Sequence, residues 1–142
     1  CNLYRECLDQ IGINCTVRPM ESAALMESTF EKKFQATFMG WGSGADPYTN
    51  DNIFGTNKQR NYGLYSNKEV DQLFVDAMVA PTREARGALY GRIHELVYED
   101  QPYTFLYTMS SFYGFNKRLR GYNFSPRGPY SYGPGLQAIW AE

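Results

Sequence analysis

The sequence is short of the side chains on which most site chemistry depends. It has one histidine, His94, and three cysteines, Cys1, Cys7 and Cys15, in 142 residues. A single imidazole with no cysteine near it makes no zinc set. Three thiols at these spacings frame neither a disulfide scaffold nor a metal clamp. His94-Glu95 begins like a zinc-protease helix, but Tyr98 stands where the second histidine would be. Gly42-Ser43-Gly44 lacks the spacing of a nucleophile elbow. Charge is balanced, with 14 basic and 15 acidic residues and a formal net charge of −1. No basic block interrupts that balance, which argues against nucleic acid as a partner, since phosphate recognition needs a concentrated positive face. No apolar run approaches the ~20 residues of a membrane span, and no charged-then-apolar leader opens the chain. These absences predict no catalytic group, no metal and no cofactor.

What is present is apolar and aromatic. Apolar residues make up 43% and aromatic residues 16%, enough for a packed core and too much for a disordered chain. Leu3, Tyr4, Cys7, Leu8 and Ile11 fall at helical spacing, and Gly12 stops the helix. Cys1 runs straight into this helix without a linker, which argues against a lipidated start. Cys7 reads as a small buried hydrophobe. Asn14 to Arg18 reads as a strand stopped by Pro19, a helix follows from about Glu21 to Lys33, and Ala36 to Trp41 reads as the next strand. In that helix Met26, Phe30 and Phe34 would face a sheet. Strand, helix and strand would form a right-handed βαβ unit.

The chain then empties into Gly40-Trp41-Gly42-Ser43-Gly44-Ala45-Asp46-Pro47. Glycine lets a backbone come close to a ligand. Trp41 adds a large flat face with one N–H donor, and Asp46 adds a carboxylate beside a rigid proline. Open α/β sheets collect ligands at the carboxyl ends of strands. A ligand with a backbone of its own could hydrogen-bond along such a strand end. The plain alternative is a turn with a core tryptophan, and for Asp46 a turn cap.

Residues 43–65 read as a long polar loop, of a length that is usually functional or disordered, with Ile53-Phe54 pinning it to the body. Ser66 to Glu69 fits a capping box. Val70, Leu73, Phe74, Ala77 and Met78 give one apolar stripe, and Ala85, Leu89, Ile93, Leu96 and Val97 give a second. Pro81-Thr82 between them predicts an αα-hairpin covering one sheet face. Asp71 and Arg86 could pair between the two helices. Beyond Pro102, residues 103–108 and 112–115 read as strands by aromatic and β-branched content. Pro126 to Gly135 reads as an extended arm, with a last edge strand at Ala138 to Trp140.

An ordered set of these motifs resembles the extracytoplasmic solute-binding proteins of ABC importers, in the dipeptide/oligopeptide/nickel-binding family. The set runs from Gly40-Trp41 and Asp46-Pro47 through Asn61-Tyr62, Tyr65-Ser66-Asn67, Val70-Asp71-Gln72-Leu73, Arg86, Leu89-Tyr90 and Ile93. It ends with Glu99-Asp100-Gln101-Pro102 and Arg118-Leu119-Arg120-Gly121-Tyr122. The resemblance implies an α/β, periplasmic-binding-protein-like lobe fragment, a mixed sheet flanked by helices with a C-terminal extended arm. It implies a C-terminal piece of a larger protein, with 1–108 in the ligand-binding lobe and 109–142 crossing back to the other lobe. It implies a periplasmic or extracellular setting, with any lipid anchor on the missing N-terminus, a permease as partner, and a fragment that is monomeric or non-specifically associated.

The ligand-contacting residues so implied are Gly40, Trp41, Gly42, Ser43, Gly44 and Asp46. In peptide-binding members an aspartate three residues past the tryptophan holds the ligand's amino group. Here that place is Gly44, and Asp46 lies two residues further on. The solute is expected to be an oligopeptide, with a sugar, an opine or a nickel chelate as alternatives in the same fold. A glycoside hydrolase fragment is the alternative of another class, although only Asp46 is well placed for an acid pair.

Overall fold

The structure is a computed structural model that describes residues 1–42, 44, 46–122 and 135–142. It divides into two compact units. The first comprises Cys1–Ser43 with Tyr48–Pro102, and the second Gly44–Pro47 with Tyr103–Glu142.

The first unit is helical. Helix α1 spans Asn2–Gln10 and α2 spans Ser22–Phe30. Both end in the same doubly bonded turn. After α1, Gly12 N–H donates to the Asp9 carbonyl at 3.1 Å and Ile13 N–H to Leu8 at 3.0 Å. Gly12 takes φ of 81°, the left-handed geometry this turn demands. After α2, Lys32 N–H donates to Thr29 at 3.1 Å and Lys33 N–H to Ser28 at 2.9 Å. Lys32 itself occupies the left-handed position at φ 57°. The helix therefore stops at Phe30 and not near Lys33, because the carbonyls of its last turn are already satisfied.

Short α3, Asp51–Phe54, follows a 3-10 turn at Pro47–Asn50, so the long polar loop carries helical structure of its own. Ile53 is buried and Phe54 packs against the main cluster, as the pinning role requires. Helices α4, Lys68–Val79, and α5, Arg83–Asp100, form the expected αα-hairpin. Thr82 caps α5 by accepting from Ala85 N–H at 3.1 Å. The cap of α4 is Asn67 and not Ser66. Its Oδ1 accepts from Glu69 N–H at 3.0 Å and Val70 N–H at 3.3 Å. Ser66 Oγ meets the Thr56 hydroxyl, and Glu69 reaches across to Arg92, so neither side chain of the predicted box caps this helix. Val70, Phe74, Ile93, Leu96 and Val97 make the core, with Tyr48, Phe54, Tyr65, Leu73 and Tyr90 packed against it. Met78, placed in the apolar stripe by its spacing, is 60% exposed.

The sheet is smaller than the sequence predicts. Among the described residues it has two antiparallel strands, β1 at Leu119–Arg120 and β2 at Trp140–Ala141, both in the second unit. The edge strand predicted at Ala138 to Trp140 is displaced to Trp140–Ala141, because Gly135–Ala138 forms a 3-10 turn. Residues 14–18, 36–41, 103–108 and 112–115 carry no regular secondary structure, and the βαβ unit does not form. A strand exists only when a neighbour completes its ladder, and these segments have extended-chain composition without that neighbour. Met26 and Phe30 accordingly have no sheet to face and are exposed, and Cys7 is exposed as well, not buried. Of the arm predicted at Pro126 to Gly135, residues 126–134 lie outside the described residues.

Gly121 has φ of 80°, and a Cβ there would collide with the Ala138 carbonyl oxygen. The glycine of the Arg118–Tyr122 motif is thus required by the chain's own packing in the second unit.

Candidate functional site

Asn61 is 1% exposed, and every polar atom of its amide is engaged. Its Nδ2 donates to the carbonyls of Gly55 at 3.0 Å and Tyr65 at 2.6 Å, and its Oδ1 accepts from Tyr65 N–H at 2.9 Å. This one side chain closes the 55–65 loop on itself, across Leu64, which sits at φ 56°. A non-glycine residue in that region is strained, and three hydrogen bonds hold the segment there.

The loop so fixed presents Tyr62, which is buried. The Trp41 indole stacks on it, with ring centroids 5.5 Å apart and planes inclined by 22°. Phe30 meets the same tyrosine edge-on at 5.6 Å and 70°. Trp41 is half-buried between two exposed glycines. Its Nε1 is buried and meets no acceptor among the described residues, an arrangement that is uncommon for an indole N–H. A Cβ added at Gly40 or Gly42 would meet nothing within 4 Å. The fold of the first unit therefore does not itself demand glycine at either position, in contrast to Gly121.

The predicted ligand residues fall in both units. Gly40, Trp41 and Gly42 belong to the first, Gly44 and Asp46 to the second, and Ser43 lies outside the described residues. Asp46 is exposed, directly before the Pro47–Asn50 turn. Sequence reasoning picked out Trp41 but not the ring it stacks on. Tyr62 was visible only as half of an Asn-Tyr motif.

Several other polar groups are engaged within the first unit. Asp100 accepts from Tyr65 Oη at 2.7 Å and Asn67 Nδ2 at 2.8 Å. Those two hydrogen bonds, Tyr65 first, hold its carboxyl below the usual carboxylate range. Partial burial, then the bond to Asp100, pushes the Tyr65 phenol upward. Of the Asp71–Arg86 pair expected between the helices, each member has another engagement. Asp71 accepts from Thr56 N–H at 2.8 Å, and the Arg86 guanidinium lies 5.4 Å from the Tyr90 ring centroid. A cavity of about 250 Å³ is lined by Asp51, Lys58, Asp71, Phe74 and neighbours. Its acids are engaged within the chain, Asp51 by Lys58 at 2.7 Å and Asp71 by Thr56. Among the described residues no group of three histidine, cysteine or acidic side chains is arranged to hold a metal, and no helix is long and apolar enough to cross a membrane.

No family model matches the chain. It is 34% identical over 130 residues to the oligopeptide-binding protein AppA of Bacillus subtilis, covering 88% of this chain and 24% of AppA. It is 26% identical over 129 residues to a probable di/tripeptide-binding protein of Pseudomonas aeruginosa, again covering 24% of that relative. The solved structure of AppA in complex with a nonapeptide superposes with a TM-score of 0.77 and 31% identity, covering 99% of this chain and 28% of AppA. That of the ABC-transporter substrate-binding protein CtaP from Listeria monocytogenes gives 0.64 and 25%, covering 70% of this chain and 21% of CtaP.

By sequence and by fold, this chain is a segment related to the substrate-binding proteins of ABC transporters. More particularly, its relatives include the oligopeptide-binding protein AppA, in line with the resemblance carried by the motif set from Gly40-Trp41 to Tyr122. The α/β lobe class read from the sequence stands with it, in partial form and with a small sheet. The chain spans about a quarter of the length of the relatives it matches.

Proposed function

We propose that this chain forms part of the ligand-binding wall of an extracytoplasmic solute-binding protein, that the solute is an oligopeptide, and that the loaded protein delivers it to the permease of an ABC importer. The observation that carries the reading is the Gly40-Trp41-Gly42 stretch. Two glycines that the first unit does not need for its own packing flank an indole held by stacking, with a buried N–H that lacks an acceptor among the described residues. Bare backbone is what a peptide needs in order to pair its own main chain with the protein. The AppA structure, superposable over nearly this whole chain, was solved with a nonapeptide.

In this reading Gly40 and Gly42 offer backbone groups and Trp41 a ring face. By the resemblance to the peptide-binding members, Ser43, Gly44 and Asp46 would also contact the ligand, with Asp46 as a displaced anchor for the peptide's amino group. Residues 1–108 belong to the lobe that carries the wall, and 109–142 lead back toward the other lobe. The function is binding and hinge closure, with no bond made or broken.

The test is mass spectrometry of small molecules released on denaturing the whole protein that carries this chain. A ladder of peptide masses is expected. A single sugar, opine or metal chelate would overturn the peptide assignment while leaving the importer reading in place.

A further inference from the structure

We infer that Tyr62 is a positioning residue for the site: it fixes the plane in which the Trp41 indole is presented to a ligand. The inference rests on the assignment of Trp41 to the binding wall made above.

Trp41 has glycine on both sides. Glycine leaves the backbone permissive and carries no side chain to buttress a neighbouring ring. The orientation of the indole must therefore come from what packs against it. Among the described residues the ring stacked on it is Tyr62, nearly parallel to it at 22° and with centroids 5.5 Å apart. Tyr62 is itself immobilised twice. It is 5% exposed, with Phe30 meeting it edge-on. Its backbone follows Asn61, whose amide is bonded to Gly55 and Tyr65. A rigid path thus runs from the loop backbone through Asn61 and Tyr62 to the ring of Trp41. A core tyrosine that merely filled space would be replaceable by any apolar side chain of similar bulk. A positioning tyrosine needs its flat ring, because stacked pairs select an orientation.

The experiment uses the whole protein that carries this chain, with Tyr62→Leu, Tyr62→Phe, Trp41→Leu and the Tyr62→Leu/Trp41→Leu double variant. The probe is the tightest-binding member of a random nonapeptide library, chosen on the unaltered protein. Tyr62→Leu is expected to keep a cooperative thermal transition, to lose near-ultraviolet dichroism from the stacked indole, and to bind the probe about tenfold more weakly. Tyr62→Phe restores both readouts. The double variant binds no more weakly than Trp41→Leu alone. Losses that add in the double variant, or an unchanged near-ultraviolet signal in Tyr62→Leu, overturn the inference.

Should Tyr62→Leu fail to fold, Tyr62→Met, apolar and without a flat ring, replaces it, and an unchanged signal and affinity there overturn the inference equally. Unchanged affinity in Trp41→Leu instead sinks the binding-wall assignment. If no nonapeptide binds the unaltered protein, the peptide reading fails, and the near-ultraviolet signal alone decides whether Tyr62 orients Trp41.

Discussion

Asn67 and Asp100 lie 33 positions apart in sequence and 2.8 Å apart in space. The amide that caps the first turn of α4 with its oxygen donates with its nitrogen to the last residue of α5. One side chain therefore ties the start of one helix to the end of the next, and Tyr65 joins the same carboxylate at 2.7 Å.

That junction makes stability depend on pH at both extremes. The Asp100 carboxyl is held below its ordinary value, so its contribution is fully present above about pH 4 and is lost as pH falls through the folded value. The Tyr65 phenol is pushed upward, so its contribution is present below about pH 10 and is lost as pH rises through the folded value. Melting temperature against pH should fall off less steeply in acid for Asp100→Asn, and less steeply in alkali for Tyr65→Phe. Curves parallel to the unaltered protein at both ends would refute the assignment.

Replacing Asn61 tests the loop closure. Asn61→Ala leaves two carbonyls and one N–H without their partner and should cost about 2–4 kcal/mol. Asn61→Asp should be no better at neutral pH. It keeps the acceptor for Tyr65 N–H but turns a carboxylate oxygen toward the carbonyls of Gly55 and Tyr65. Urea midpoints of the two variants decide the point, and an Asp variant as stable as the unaltered protein would contradict it.

Gly40→Ala and Gly42→Ala should leave the melting temperature within about 2 °C, since a Cβ at either meets no atom within 4 Å and mild changes of this kind stay within about 0.5 kcal/mol. The same variants should weaken nonapeptide binding, measured by calorimetry, because they thicken the backbone edge assigned to the ligand. Lost stability with intact binding would reverse the reading of these glycines.

Gly121→Ala should behave in the opposite way, destabilising by about 2 kcal/mol or more. It combines a left-handed backbone with a collision against Ala138. Amide exchange at Glu142, whose N–H donates to the Arg118 carbonyl at 2.8 Å beside the β1–β2 pair, is expected to accelerate, and unaltered protection there would count against the prediction.

The helices were legible in the sequence because their information is local. The stripe from Val70 to Ala77, the proline and threonine at 81–82 and the glycine at 12 each act within one or two turns. The cap at Asn67 was missed by one residue, because Ser66 and Asn67 are both good caps and only tertiary contacts with Thr56 and Asp100 separate them. The strands were not legible in the same sense. Residues 103–108 have the aromatic and β-branched content of a strand, but a ladder depends on a second segment that composition cannot supply. Of the candidate site, Trp41 could be picked out by its glycines. The stack on Tyr62 could not, since it joins positions 21 residues apart through a loop folded by one buried amide.

The hairpin of α4 and α5 has a kinetic consequence. Its core, from Val70 to Val97, is drawn from one continuous stretch, and the two helices are separated only by Ala80 to Thr82. Little chain entropy is lost in closing so short a connection, and contacts of low sequence separation form fast. In refolding, this pair is expected to form the nucleus. Leu96→Ala should therefore slow folding, whereas Gly121→Ala should chiefly hasten unfolding. The order of assembly would then run outward from the helices, and the segments that wait for a distant neighbour would settle last.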